Sequence, residues 1–115
     1  MELACKIQLS NGTTVAMFTV NSSNIYAVGY IKEKEELYVE FLDGSVYVYY
    51  GVEPELWRML QIVDSKGSFL HHYIKINDTV YQYEEITGLV NITYVGQTTN
   101  PGTPHPEGYM TDKNW

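Results

Sequence analysis

The chain has 115 residues, which is the length of one domain with a modest core. Its 14 acidic and 7 basic residues give a net charge of −7, so repulsion disfavours duplex DNA or long RNA as the main partner. The single cysteine, Cys5, excludes an internal disulfide and a cysteine zinc cluster. The sequence has no long apolar run, which predicts that no segment spans a membrane, and its first residues are not basic, which predicts that there is no signal peptide. We therefore expect a cytoplasmic protein.

Residues 2–20 are predicted to form a β-hairpin. Two short, partly alternating runs flank Asn11-Gly12, which is a strong signal for a type I′ turn. Residues 25–31 are predicted to form a further strand, followed by a charged turn over residues 32–36.

Residues 37–50 are predicted to form a second hairpin, closed by Asp43-Gly44. A two-residue loop would pair residue 42 with residue 45, and this register separates the side chains into two faces. The core face would carry Leu37, Val39, Phe41, Val46, Val48 and Tyr50. The other face would carry Tyr38, Glu40, Tyr47 and Tyr49, and three tyrosines are unusual for a plain solvent face.

One amphipathic helix is predicted over residues 54–66. Pro54 suits the first helical position, and Leu56, Leu60 and Val63 recur at helical spacing. Gly67 suits the stop after the helix. At least one further strand is expected within residues 69–76 and 79–83, and residues 89–95 are another strand candidate.

The composition changes at residue 96, where glycine and proline become frequent. We interpret residues 1–95 as a single α+β domain, a small antiparallel sheet packed with one helix, and residues 96–115 as an extended tail. Tyr109, Met110 and Trp115 are residue types that anchor a segment, so we expect the tail to dock on its own domain or on a second copy. This predicts a homo-oligomer with contacts made by the tail.

An ordered set of short motifs runs from about residue 20 to residue 83. It consists of Ser22-Ser23-Asn24-Ile25, Val28-Gly29-Tyr30, Leu37-x-Val39-x-Phe41-x-x-Gly44, Tyr47-Val48-Tyr49, Pro54, Ser65-Lys66-Gly67-Ser68-Phe69, and Ile74 before Tyr81 and Tyr83. This set resembles the KTSC domain, a family of small bacterial and phage proteins that also occurs at the C-terminus of some lysyl-tRNA synthetases. The resemblance implies a small antiparallel sheet with a helix and a nucleic acid or nucleotide as ligand, and it implies no catalytic residue.

The tyrosines of the second hairpin are the first candidate binding residues. Tyr38, Tyr47 and Tyr49 would form a platform on which bases stack, an interaction of about 1–3 kcal/mol per base. The alternative is that the helix, the tail or a second copy covers this face. Because a polymer needs several phosphate contacts, the charge favours a small nucleotide over a nucleic acid.

The other candidate binding residues are cations and polar tail residues. Lys66 could meet a phosphate, or it could belong to an ordinary helix C-cap. Arg58 could clamp a phosphate, or it could pair with Glu53 or Glu55 on the helix surface. Gln97, Thr98, Thr99 and Asn100 could close over a ligand, or they could link the domain to the anchoring residues.

We expect no catalytic residue, no metal site and no cofactor. On the strand expected there, His71 and His72 would point to opposite faces and could not chelate one metal. The sequence contains no Gly-x-Ser-x-Gly, Walker or dinucleotide-binding motif.

The sequence therefore predicts a non-enzymatic module that captures a nucleotide-type ligand by tyrosine stacking. Such a module could be a phage sponge for a cyclic-nucleotide defence signal of a bacterial host. The alternatives are an inhibitor protein of a phage that acts by binding another protein, and a short-RNA-binding module.

Overall fold

The computed structural model describes residues 2–75, 81–94 and 97–99. Within these residues, eight strands form one antiparallel sheet in the order β6-β5-β4-β3-β2-β1-β7-β8. The strands are β1 (Leu3–Leu9), β2 (Thr14–Thr19), β3 (Ile25–Ile31), β4 (Glu36–Phe41), β5 (Val46–Tyr50), β6 (Tyr83–Ile86), β7 (Leu89–Tyr94) and β8 (Gln97–Thr99). The helices are α1 (Pro54–Ile62) and α2 (Lys66–Leu70), and a π-helical turn, His71–Lys75, extends α2.

The sheet curls into a half-barrel. Strands β4 and β7 have three strands between them, so a flat sheet would hold their backbones about 19 Å apart at a spacing of about 4.8 Å. The Tyr94 hydroxyl of β7 nevertheless donates to Glu40 Oε2 of β4 at 2.6 Å. Two side chains that rise from one face can meet across that span only if the face is concave.

Each face of the sheet has its own core. The inner core fills the concave face and comprises Ala4, Cys5, Ile7, Leu9, Val15, Met17, Ala27, Tyr38, Val46, Val48, Ile92 and Tyr94. The helix core lies between the other face and the two helices, and its largest members include Ile25, Leu37, Phe41, Tyr49, Leu60, Leu70 and Ile74. Strand β4 supplies both cores, because its residues from Leu37 to Phe41 are all buried.

The predicted α+β class with a small sheet and one helix is wrong, because the fold is mainly β and carries two short helices. The hairpins within 2–20 and 37–50 and the strand 25–31 are confirmed.

The single helix predicted over residues 54–66 is interrupted at Val63, whose backbone is extended at φ −76° and ψ 151°. Residues 69–75 are helical and supply none of the strands expected within 69–76 and 79–83, because Leu70 and Ile74 are buried at a helical spacing of four. Strand β6 begins at Tyr83, the last residue of the second of these segments.

Part of the predicted tail is a strand, since Gln97–Thr99 pair with β7 as β8. The tail's anchoring residues Tyr109, Met110 and Trp115 lie outside the described residues. Docking of the tail, the division into 1–95 and 96–115, and the homo-oligomer therefore stay predictions.

The predicted register of the second hairpin is wrong by one residue. Leu37 pairs with Tyr49 and Val39 with Tyr47, and residues 42–44 form a three-residue loop. The Phe41 N–H donates to the Ser45 carbonyl at 2.8 Å to close this loop, and Gly44 takes a positive φ of 92°. Because side chains alternate along a strand, this slip reverses the faces of all residues of β5.

Candidate functional site

The predicted tyrosine platform does not exist as one surface. Tyr49 is only 3% exposed in the helix core, and Tyr47 packs against Phe41 of the same core with ring centroids 5.6 Å apart. Tyr38 lies on the opposite face, in the inner core, where its hydroxyl donates to Glu36 at 2.8 Å. Burial, helped by this hydrogen bond and by the Glu36 charge, raises the pKa of Tyr38. The grouping of Tyr38 with Tyr47 and Tyr49 is therefore wrong.

Tyr38 instead borders a cavity of about 310 Å³ at one end of the half-barrel, which we call the acidic cavity. Its wall includes Tyr50 and the carboxylates of Glu36, Glu84 and Glu85, with Lys34 as a basic residue. The Tyr50 hydroxyl donates to Glu84, and this bond, together with burial, raises the pKa of Tyr50 to about 12. The carboxylates make this cavity unfavourable for a phosphate.

A larger cleft of about 590 Å³ opens where α2 meets the β2–β3 loop, and we call it the serine cleft. Residues 21–24 form one wall, and Ser65, Gly67, Ser68, His71 and His72 form the other. Apart from Gly67, every lining residue has a side chain that can form hydrogen bonds. The lining contains no carboxylate.

The two walls of the serine cleft contact each other at Gly67. A β-carbon added to Gly67 would lie 3.1 Å from both Cβ and Oγ of Ser22. The Ser22 Oγ accepts the N–H of Asn24 at 3.2 Å and the N–H of Ile25 at 3.3 Å, and these bonds hold the loop at the start of β3. A glycine therefore permits the close approach of the two walls of the cleft.

The comparison with known proteins identifies the family. A family model described as the KTSC domain matches residues 21–77. A protein of Tsukamurella paurometabola is 37% identical over 59 residues, which cover 51% of this chain and 88% of that protein. The chain belongs to the KTSC family. An uncharacterized protein of Stutzerimonas stutzeri is 36% identical over 56 residues, which cover 49% of this chain and 79% of that protein.

A solved structure gives the same assignment. The crystal structure of a KTSC domain protein from Yersinia pestis matches with a TM-score of 0.55 and 26% identity, covering 63% of this chain and 97% of that one. All lining residues of the serine cleft fall within the KTSC match at residues 21–77. Strands β1, β2, β6, β7 and β8 lie outside this match. The serine cleft therefore belongs to the KTSC part of the chain.

The two predicted cations do not line the serine cleft. Arg58 forms an ion pair with Glu55 on the exposed surface of α1. Lys66 donates through Nζ to the Val63 carbonyl at 2.7 Å, just after the end of α1. Both residues thus adopt the structural alternatives that their sequence context left open.

The predicted tail residues cannot be placed in the serine cleft. Gln97, Thr98 and Thr99 form β8, which pairs with β7. Strand β8 is the edge strand at the end of the sheet opposite β6. Asn100 lies outside the described residues. A role for these four residues in ligand binding stays a prediction.

Sequence reasoning missed His71 and His72 as partners in one site. A helical turn, unlike a strand, brings two successive side chains to neighbouring directions, and both imidazoles line the serine cleft. The buried pair Leu70 and Ile74 was the available signal for this helix. The polar run from residue 21 to residue 24 was the available signal for the other wall, because such a run between two strands predicts an exposed loop.

The Glu40 carboxylate is buried among the apolar side chains of the sheet. Glu40 is 0% exposed and accepts from the Cys5 thiol at 3.2 Å as well as from Tyr94. Burial is the main factor that raises the pKa of Cys5, with the Glu40 charge next, so the thiol stays protonated.

Across the described part of the chain, no three His, Cys, Asp or Glu side chains gather to hold a metal ion. Nor does any helix of residues 2–75, 81–94 and 97–99 have the length and apolarity to cross a bilayer.

Proposed function

We propose that this KTSC protein is a non-enzymatic binding module that captures a small nucleotide-type ligand in the serine cleft. The observation that carries the proposal is the meeting of two family segments, residues 21–24 and 65–68, around one polar opening without carboxylates. The ligand class is the one that the sequence predicts, and the site is the serine cleft instead of the tyrosines.

The size and polarity of the serine cleft support a small ligand rich in hydrogen-bonding groups. Its volume of about 590 Å³ falls within the range of about 300–1,000 Å³ that is usual for small-molecule sites. Four serines, two asparagines and two histidines surround it. Ribose hydroxyls and phosphate oxygens match such a lining better than an apolar molecule does.

The net charge of −7 supports a small ligand over a polymer. A nucleic acid follows the surface beyond the cleft and would meet the acidic residues there, whereas a nucleotide needs only one or two phosphate contacts. The short-RNA alternative predicts an affinity that falls steeply with salt, which distinguishes it from nucleotide capture.

The chemistry of the lining supports capture without turnover. A serine nucleophile works with a histidine base that a third group, often a carboxylate, orients. The serine cleft contains serines and histidines, and its lining has no carboxylate to orient them. A module of this kind would lower the free concentration of a signalling nucleotide, including a defence signal in a bacterial host.

The test is calorimetric titration of the full chain with mononucleotides, linear dinucleotides and cyclic dinucleotides. We expect at least one nucleotide to bind with a micromolar or lower Kd. The double variant Ser65→Ala, Ser68→Ala removes two exposed hydroxyls of the serine cleft and should weaken this binding about tenfold or more.

The matched control is Ser10→Ala, Thr87→Ala, which removes two exposed hydroxyls from the acidic cavity. It should leave the Kd unchanged. The proposal is wrong if no nucleotide releases or absorbs heat on titration. It is also wrong if the control weakens binding as much as the cleft variant.

A further inference from the structure

The hydroxyl of Ser22 can act toward a ligand only as a hydrogen-bond donor. A serine oxygen has two lone pairs and one proton. The N–H groups of Asn24 and Ile25 both point at the Ser22 oxygen, at 3.2 and 3.3 Å, and they occupy its lone pairs. The proton is what remains for a ligand, so Ser22 presents a donor to the serine cleft and favours a ligand atom that accepts.

The charge distribution of the chain separates the two cavities. The acidic cavity has three glutamates and one lysine in its wall. The wall of the serine cleft has no charged carboxylate although the chain contains 14 acidic residues, and the acid next to it in sequence, Asp64, is exposed and does not line it. An anion therefore meets less repulsion in the serine cleft than in the acidic cavity.

The remaining side chains of the cleft are compatible with an anion. Ser65 and Ser68 have exposed hydroxyls that can donate, and the imidazoles of His71 and His72 each carry at least one N–H. Several donors around one opening can satisfy the multiple acceptor oxygens of a phosphate group, which a base or a ribose does not offer at one point.

We infer, given the function proposed above, that the serine cleft recognises a phosphate group of its ligand and that Ser22 donates to a phosphate oxygen. The base and sugar then extend toward the solvent side of the opening. The ligand class is a phosphate ester or pyrophosphate, and its charge contributes to affinity directly.

The experiment changes the charge at an exposed cleft position without altering the fold. Ser68 is exposed on α2, so Ser68→Lys and Ser68→Asp place opposite charges at the rim of the serine cleft. Ser10→Lys and Ser10→Asp place the same charges beside the acidic cavity as matched controls. Inorganic pyrophosphate, AMP and adenosine are titrated into each variant in low-salt buffer, after circular dichroism has shown that each variant is folded.

We expect Ser68→Lys to tighten the binding of pyrophosphate and AMP by about threefold to tenfold and Ser68→Asp to weaken it by a similar factor. Repeating the titrations with added salt should reduce the effects of both substitutions on the affinity. Adenosine should bind more weakly than AMP and should not respond to the charge at position 68. The Ser10 variants should leave all three affinities close to those of the wild-type chain.

The outcomes separate the two proposals. If the nucleotides bind in the cleft but ignore the charge at position 68, recognition of a phosphate group is overturned and nucleotide capture stands. If pyrophosphate follows the charge but AMP and the dinucleotides bind no tighter than pyrophosphate, the anion site stands and nucleotide capture is overturned. If neither pyrophosphate nor any nucleotide binds, both are overturned.

Discussion

Gly67 packs against Ser22 so closely that a β-carbon on the glycine would lie 3.1 Å from the serine Oγ. The two residues belong to the two KTSC segments that enclose the serine cleft. Their contact links the geometry of the cleft to a single backbone position, and this gives a first way to disturb the site without removing any of its polar groups.

Gly67→Ala should weaken nucleotide binding severalfold with little change in stability. The new methyl group forces Ser22 to move by a few tenths of an ångström and displaces its hydroxyl. Alanine is the better helix former by about 1 kcal/mol, and this gain offsets the cost of the crowded contact in the unfolding free energy. Calorimetry and urea denaturation measure the two quantities.

The matched control is Gly88→Ala. Its β-carbon would lie 3.4 Å from the Oγ of Ser10, which is an ordinary contact at the acidic cavity. It should leave nucleotide binding unchanged. Equal effects of the two alanines on the Kd would show that the contact between Gly67 and Ser22 does not shape the site.

Gly29→Ala should destabilise the fold by about 3 kcal/mol or more. A β-carbon on Gly29 would lie 2.4 Å from the Ala16 carbonyl oxygen and 2.7 Å from the Met17 sulfur, so backbone as well as side chains would have to move. Urea denaturation measures the loss, again with Gly88→Ala as the control. A loss below about 1 kcal/mol would contradict the close packing of β2 on β3.

Tyr94→Phe should lower the unfolding free energy by about 1–3 kcal/mol, because it removes a hydrogen bond to the buried Glu40 carboxylate. Tyr83→Phe is the control, since the Tyr83 side chain is 45% exposed, and it should cost less than about 0.5 kcal/mol. Similar losses in the two variants, measured by urea denaturation, would argue against the contact across the half-barrel as a source of stability.

The chain should lose stability as the pH rises from about 10 to about 12. Burial, with a hydrogen bond from the Tyr81 hydroxyl to Glu53 at 2.9 Å, raises the pKa of Tyr81 from its ordinary value of 10.0 to about 12. Because the unfolded chain releases this proton near pH 10 and the folded chain keeps it, the contribution is full below pH 10 and is lost as the pH approaches 12.

Denaturation by urea at a series of pH values tests this dependence, together with the ultraviolet titration of tyrosine. Glu53→Gln should lower the pKa of Tyr81 only in part, since burial remains the larger cause. Glu55→Gln changes a neighbouring exposed acid and should leave the pH dependence unaltered. A stability that is flat between pH 10 and 12 would contradict the raised pKa.

Strands β1 to β5 and β7 could be read from the sequence, but the register of β4 and β5 could not. A type I′ turn needs a positive φ at both central residues, and Asp43 does not adopt one. The Asp43 carboxylate instead accepts the Ser45 N–H at 2.9 Å and favours a three-residue loop with Gly44 in the left-handed region. The Asn11 side chain accepts the Thr13 N–H at 2.9 Å in the same way, so the type I′ turn predicted for the first hairpin is wrong as well.

The candidate site was harder to predict because it depends on contacts between distant segments. The loop at residues 21–24 and the helix at residues 66–70 are each ordinary in the sequence, and only the fold brings them together. The 11 tyrosines of the chain do not by their number indicate a binding surface, because Tyr49 fills the helix core. Alternation along one strand cannot distinguish a core tyrosine from a ligand platform when both faces of the sheet are covered.

The most direct test of the central claim is to map the binding surface on the ¹⁵N-labelled full chain by NMR. Titration with AMP and with a cyclic dinucleotide should shift the amide signals of Ser22, Gly67, Ser68 and His72, and leave those of Tyr50 and Gly88 at the acidic cavity in place. Shifts centred on Tyr50 and Gly88, or an unchanged spectrum at millimolar ligand, would contradict the assignment of the serine cleft as the binding site.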